Sequence, residues 1–195
     1  MSPAEAARQA IDAAHARDPH RLADGRPAEL AYADRLEAWV RRLDPAASEL
    51  LLLAARCQHL ERFDTPRPSF PAGRAGYLAW RKSLYGKQAA RAAELLRQAG
   101  FSEAQAQSAA AWVAKEGLKR DPGTQTLEDA ACLVFLESEI EAFAAQHADY
   151  PRDKFIEILR KTWRKMSPAA HAFARGLAYP PAIAGLVSDA VAGQS

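Results

Sequence analysis

Nowhere in this chain do apolar and polar residues alternate with the period of two that marks a half-buried strand, and that excludes most sheet architectures at the outset. Proline and glycine instead cut the sequence into segments with helical spacing. Alanine, the best helix former, is abundant inside them. The pattern predicts helices over about 3–17, 27–43, 46–63, 73–98 and 126–143, with Ser102 opening another. Further helices are expected over about 152–166 and from Ser167-Pro168 onward. Ser102 with Gln105 makes a capping box, and Ser167-Pro168 reads as cap plus first-turn proline. The prolines of Thr65-Pro-Arg-Pro-Ser-Phe-Pro71 forbid helix between the third and fourth segments, and Asp121-Pro-Gly breaks the chain again. The expected fold is all-α, a helical bundle of about seven to eight helices forming a single domain over residues 1–195, with a short tail from 180 to 195.

Length and balance fit that picture. A 195-residue chain with 49% apolar and 26% charged residues can bury a real core. The net charge of +2 argues against nucleic acid as a partner, because such domains are usually far more basic. The longest apolar run, 130–136, is too short to span a bilayer, and the N-terminus has no signal pattern. Cys57 and Cys132 lack metal-ligand spacing and read as buried thiols in a reducing compartment, so the expected location is the cytoplasm.

Polar groups on core-facing stripes are the informative residues, since burying them is costly unless they are used. The stripe of the second helix, Leu36, Val40 and Leu43, extends back through Tyr32 to Glu29. The third carries Leu52, Ala55, His59 and Phe63 on one line with Arg56 and Arg62 beside it. The line through Leu133, Leu136 and Ile140 meets Asp129, next to Glu128. Glu, His and Asp are ligands for a divalent metal such as Zn, Mn, Fe or Mg. Each also has a plainer explanation: Asp129 could complete a capping box with Thr126, Glu29 could favour a first helical turn, and a lone histidine is more often a satisfied core residue.

A second concentration is basic and aromatic. Arg56, Arg62, Arg67, Arg74, Arg81 and Lys82 interleave with Phe63, Phe70, Tyr77, Trp80 and Tyr85. Arg74, Tyr77 and Arg81 share one helix face, and guanidinium forks suit phosphate or carboxylate. A solvated face is the alternative. The segment 152–166 opposes Lys154, Arg160, Lys161, Arg164 and Lys165 to an apolar face, the usual form of an exposed amphipathic helix. His15, His20 and His147 sit among polar residues and are expected at the surface.

Several long motifs resemble an uncharacterised bacterial and fungal family, a domain of unknown function whose fungal members are sometimes labelled glutamyl-tRNA synthetase. They are Arg56-Cys-Gln-His59-Leu-Glu-Arg-Phe, then Pro66-Arg67, then Phe70-Pro-Ala-Gly-Arg-Ala-Gly-Tyr-Leu-Ala-Trp-Arg81, followed by residues 125–137 and 158–167 with His171. The resemblance runs from about residue 11 to 171. A more distant one is to the HD-domain superfamily of all-α metal-dependent phosphohydrolases, in which an apolar helix ends in a His-Asp pair and a later helix supplies another metal-binding aspartate. Leu50-Leu-Leu-Leu-Ala-Ala-Arg-Cys-Gln-His59 is similar to the first and Glu128-Asp129 to the second. Leu60 stands where the paired aspartate is expected, and Glu29 or Tyr32 where an early histidine is.

The HD-like resemblance implies a metal-dependent hydrolase of a small anionic or phosphorylated compound. His59, Asp129 and Glu29 would be the metal ligands, and His59, Asp129 and Glu128 the catalytic set. Arg56, Arg67, Arg74, Tyr77, Arg81 and Lys119 would bind the substrate. The alternatives are a non-catalytic binder of a small anion at the same place, and an RNA-associated protein using the basic face of 152–166. Substrate, metal and oligomeric state are left open by the sequence.

Overall fold

Serine starts most of the helices that have a side-chain cap. In the computed structural model, which describes residues 1–192, Ser2, Ser48, Ser102 and Ser167 each accept a bond from a backbone N–H in the first turn of the helix that follows. Such caps satisfy donors that a helix N-terminus otherwise leaves unpaired. The elements are α1 (Pro3–Ala16), α2 (Ala28–Leu43), α3 (Glu49–Arg56), α4 (Gly73–Gln98), α5 (Glu103–Val113), α6 (Pro122–Val134), α7 (Ile140–Gln146), α8 (Arg152–Lys165), α9 (Pro168–Arg175) and α10 (Pro181–Val191). No strand occurs among the described residues beyond one isolated bridge, Arg21 to Pro27. The all-α expectation holds, with ten α-helices among the described residues rather than seven to eight.

The chain divides into two compact units, Met1–Leu127 and the part from Glu128 onward, the division falling within α6. In the first unit α4 packs along α5, α2 against α3, and α1 against α2, α3 and α4. Short α3 is its most enclosed helix: Leu51 to Arg56 are all buried, as expected of a helix that is apolar nearly all round. Ile11, Leu36, Val40, Leu53, Leu96 and Val113 are fully sequestered. Each such aliphatic side chain contributes about 1.5–3 kcal/mol by leaving water.

In the second unit α8 packs on α10. Phe155, Leu159 and Trp163 of α8 and Ile183, Val187 and Ala190 of α10 are buried. Residues 135–139 form a π-helical turn joining α6 to α7, which widens what the sequence presents as one continuous segment over 126–143. The expected tail is helical as α10, and its last three residues, 193–195, lie outside the described residues.

Two boundaries differ from expectation for identifiable reasons. The third helix ends at Arg56 rather than near residue 63, because His59 and Glu61 take left-handed backbone conformations, φ 61° and 51°. At the other boundary, α6 begins at Pro122 rather than Thr126. Asp121 accepts the Thr124 N–H at 2.7 Å, so the Asp-Pro pair read as a break is a cap followed by a first-turn proline. Thr126 lies inside the helix, its hydroxyl donating to the Pro122 carbonyl at 2.9 Å.

Candidate functional site

The turn that ends α3 creates the site. Cys57 to Leu60 coil tightly after the helix, and the left-handed backbone at His59 turns its ring out of the core line on which helical spacing would put it. The ring stacks on Tyr32 of α2, centroids 4.0 Å apart and 11° from parallel. Its Nδ1 lies 3.2 Å from the Glu29 carboxylate. Nε2 lies 3.1 Å from Arg62 Nη1. A carboxylate accepts, so the neutral ring carries its proton on Nδ1, toward Glu29; Arg62 Nη1, also 3.3 Å from Nδ1, lies over the ring face and leaves the in-plane lone pair of Nε2 open. Burial, with the positive charges of Arg62 and Arg81, pushes His59 down to about 4, outweighing the pull of Glu29 in the other direction. The side chain remains 22% exposed, so solvent or a small ligand reaches it.

Further cations of the first unit are held on aromatic rings. Arg62 lies over Trp80, 5.1 Å from the ring centroid. Trp80 is itself fixed by its indole N–H, which donates to the Thr65 carbonyl at 2.8 Å. One residue on, Arg81 turns its Nε and Nη2 to the Tyr85 hydroxyl and lies over that ring at 5.1 Å. Lys115, from the turn after α5, places its ammonium 5.6 Å from the same ring centroid. Lys115 too has a left-handed backbone, φ 63°. Strained non-glycine residues of this kind concentrate at functional sites, since surrounding structure must hold them there. Glu61, in the same turn as His59, is engaged with Arg17 and Arg91.

The expected site residues fall into several groups. Glu29 and His59 are brought together, as the core stripes implied, although the stripe reasoning assumed a helix that stops three residues short of His59. Arg81 joins them through its charge. Arg56 does not serve as a ligand group: it is 4% exposed and its guanidinium is engaged by Asp12, Asp34 and Glu37. Arg67 holds the following loop, donating to the carbonyls of Phe70, Pro71 and Gly73. Arg74 and Tyr77 are exposed on α4, Tyr77 tilted against Trp80, and Lys119 is an exposed turn residue with φ 74°.

In the second unit, Asp129 accepts the Ser167 N–H at 2.8 Å, at the cap of α9, so its fixed partner is a backbone group and not the Thr126 box. Glu128, 3% exposed, is ion-paired with Lys165 at 3.2 Å. The basic face of α8 is answered locally as well. Lys161 and Arg164 meet Glu157, Arg152 meets the Asp189 carboxylate, and Lys154 lies over Tyr150. His171 stacks on Trp163, centroids 4.0 Å apart, and donates from Nε2 to that residue's carbonyl.

Sequence reasoning missed two further things. Lys115 had no motif or stripe to mark it, and only the turn geometry brings it to Tyr85. His15, expected at the surface, is fully buried and donates from Nε2 to the Arg56 carbonyl at 2.7 Å. The signal was present, since His15 follows Ala7, Ile11 and Ala14 on the buried face of α1.

Residues 5–187 match the pattern of a domain of unknown function, DUF4202. The chain belongs to that family. The DUF4202 match takes in both units and every candidate residue, and extends past the 11–171 span over which the motifs are legible. No curated protein and no solved structure matches the chain.

Whether the DUF4202 residues fit the divalent metal that an HD-like site implies can be tested on the first unit. A metal bound at about 2 Å from His59 Nε2 would lie within about 5 Å of Arg62 Nη1. Repulsion between a double and a single positive charge at that range is on the order of 7 kcal/mol at the effective dielectric of a protein site. Glu29, the other first-unit ligand, is already hydrogen-bonded to the ring. Among the described residues no group of three or more His, Cys, Asp or Glu side chains is arranged to hold a metal ion. The Glu29–His59 pair as built does not fit a metal.

Proposed function

We propose that the first unit binds a small anionic compound, a phosphate ester or a carboxylate, at the ring of His59. One observation carries this reading: Arg62 and Arg81 come from separate parts of the chain to act on the His59 ring, each lying over an aromatic side chain, and Lys115 comes from a third part to the Tyr85 ring that Arg81 covers. Guanidinium groups held on aromatic faces keep donors pre-oriented, which lowers the ordering cost of gripping an oxyanion. Neutral His59 adds a polar contact at the same place. The reading is that of a binding protein, the alternative weighed above.

A hydrolase of the same class of compound is the second reading, favoured by the Glu29–His59 hydrogen bond and by the HD-like resemblance. In it Glu29 fixes the imidazole tautomer and leaves Nε2 to accept a proton from water. No step is routed through a metal.

Calorimetric titration with sulfate and with inorganic phosphate tests the first reading. Wild type is expected to bind, with affinity falling as salt rises, and Arg81→Ala and Lys115→Ala each weaken binding several-fold. Affinity unchanged in both variants would return these cations to the solvated face. Turnover of a phosphate ester by wild type but not by His59→Asn would favour the hydrolase.

A further inference from the structure

Three approaches to the His59 ring are taken. Tyr32 stacks on one face with centroids 4.0 Å apart, which leaves no room for another group on that side. Arg62 Nη1, 3.3 Å from Nδ1 and 3.1 Å from Nε2, therefore covers the opposite face. Nδ1 is spent on Glu29 at 3.2 Å. What remains is the in-plane lone pair of Nε2, on a side chain that is 22% exposed. Arg62 is kept in place by Trp80, a buried ring whose N–H is tied to the Thr65 carbonyl. The left-handed residues His59 and Glu61 set the turn between imidazole and guanidinium. A ring clamped on both faces, bonded to a carboxylate at one nitrogen and open at the other, has the arrangement of an activated nucleophile.

The same arrangement suits a proton acceptor less well. A proton taken up at Nε2 puts a positive charge directly beneath a guanidinium, and burial with the charges of Arg62 and Arg81 already holds the ring neutral. A phosphoryl group at Nε2 does the reverse. The ring becomes cationic but carries a dianion beside it, so the adduct is attracted to the two arginines that repel an imidazolium. Bonded in the ring plane, its oxygens lie at the edge of the Arg62 fork, whose donors suit them.

We infer that His59 Nε2 is the covalent acceptor of a phosphoryl group, taken from a phosphate monoester and passed on to water. This rests on the anion-binding reading for the ligand, and gives the hydrolase a covalent route in place of proton transfer at Nε2. In the first step the Nε2 lone pair forms an N–P bond as the ester P–O bond breaks. That bond's electron pair leaves on the alcohol oxygen, which water protonates. In the second step a water oxygen bonds to phosphorus and the N–P pair returns to Nε2. One proton of that water neutralises the hydroxide left by the first step, and inorganic phosphate departs. Glu29 holds the Nδ1 proton throughout and faces the positive charge that the ring carries between the steps.

The test uses the full chain with p-nitrophenyl phosphate and, separately, with phosphoramidate as phosphoryl donors. Samples are quenched in alkali and followed by intact-mass spectrometry with peptide mapping, because a phosphoryl group on an imidazole nitrogen survives alkali and is lost in acid. Expected is a single acid-labile phosphoryl group on wild type, mapped to His59. His59→Asn, which keeps a residue tolerant of left-handed backbone, should show none beyond background. Arg62→Ala should take up the group at least about tenfold more slowly, with helix content retained by circular dichroism. The ring of His20, 76% exposed, reports the background of an accessible histidine. Labelling at His59 no greater than at His20, or ester turnover by wild type with no phosphoryl group at His59, overturns the inference. Sulfate bound in calorimetry by the same preparation then leaves the anion reading standing, and sulfate unbound overturns both.

Discussion

Arg56 and Arg62 are six residues apart, and they show two opposite uses of an arginine. Arg56 is buried at the end of α3 and closed in by Asp12, Asp34 and Glu37, and Glu37 in turn accepts from Arg8 and Arg41. Burial alone would raise the Glu37 carboxyl, but three guanidinium groups overcome that and hold it at about 2. This network is complete in itself and has nothing to offer a ligand. Arg62 lies half-buried against an imidazole that it disfavours from becoming charged, and Arg81 acts on that ring in the same direction. A satisfied arginine fixes the fold, while Arg62 is the arginine that the proposed reading gives to the ligand.

The largest effect should come from breaking the first arrangement. Arg56→Ala leaves Glu37 buried without its inner partner and is expected to cost about 3–5 kcal/mol in urea unfolding. Arg62→Ala, against a largely aromatic and partly solvated setting, should cost under about 1 kcal/mol. If the two variants prove equally destabilised, the distinction between a structural and a ligand-facing arginine is lost.

Acid should next separate the two regions by pH window. Glu37 has its folded pKa depressed below the ordinary 4.5, so its contribution is full above 4.5 and disappears as pH falls from there toward 2. The shift corresponds to about 3 kcal/mol. His59 also has its folded pKa depressed, to about 4 from 6.5, but there the unfolded chain takes up the proton first, so stability falls as pH drops from 6.5 toward 4. His15, lowered by burial, adds to that upper window. His59→Asn should therefore flatten part of the upper slope and leave the lower one unchanged. An upper slope identical to wild type would place the His59 ring in solvent.

A smaller effect is expected where the loop before α4 meets that helix. Gly76 of α4 has the Pro71 carbonyl oxygen 1.8 Å from where a Cβ would sit, so Gly76→Ala must displace backbone, at a cost of about 1–3 kcal/mol. The shift should register in Trp80 fluorescence and in sulfate affinity more than in the Arg56 network. Unfolding with no change in either readout would detach the loop from the site.

Much of the fold was legible because caps and breakers are local. The limits of α4 and the caps at Ser102 and Ser167 follow from residues within a turn of the boundary. What escaped depended on contacts distant in sequence or on backbone states that composition does not encode. Nothing in Cys57-Gln-His59-Leu-Glu61 announces two left-handed residues, so α3 reads too long. Nothing marks Lys115 as a neighbour of Tyr85. Arg56 looked like a ligand group for the same reason that it is a structural one: a charge on an apolar stripe must be answered, and the sequence does not say whether protein or ligand answers it.

The left-handed backbone at position 59 also narrows what can replace the histidine. Asparagine visits that conformation readily and glycine does so without strain, whereas most side chains lose about 1–2 kcal/mol there and β-branched ones clash outright. A saturation library at this codon should therefore sort by backbone tolerance before it sorts by chemistry. Asparagine variants would stay folded and inform on the ring, and valine or isoleucine variants would report only on the turn. For anyone reshaping this turn, the admissible alphabet at position 59 is set by one torsion angle.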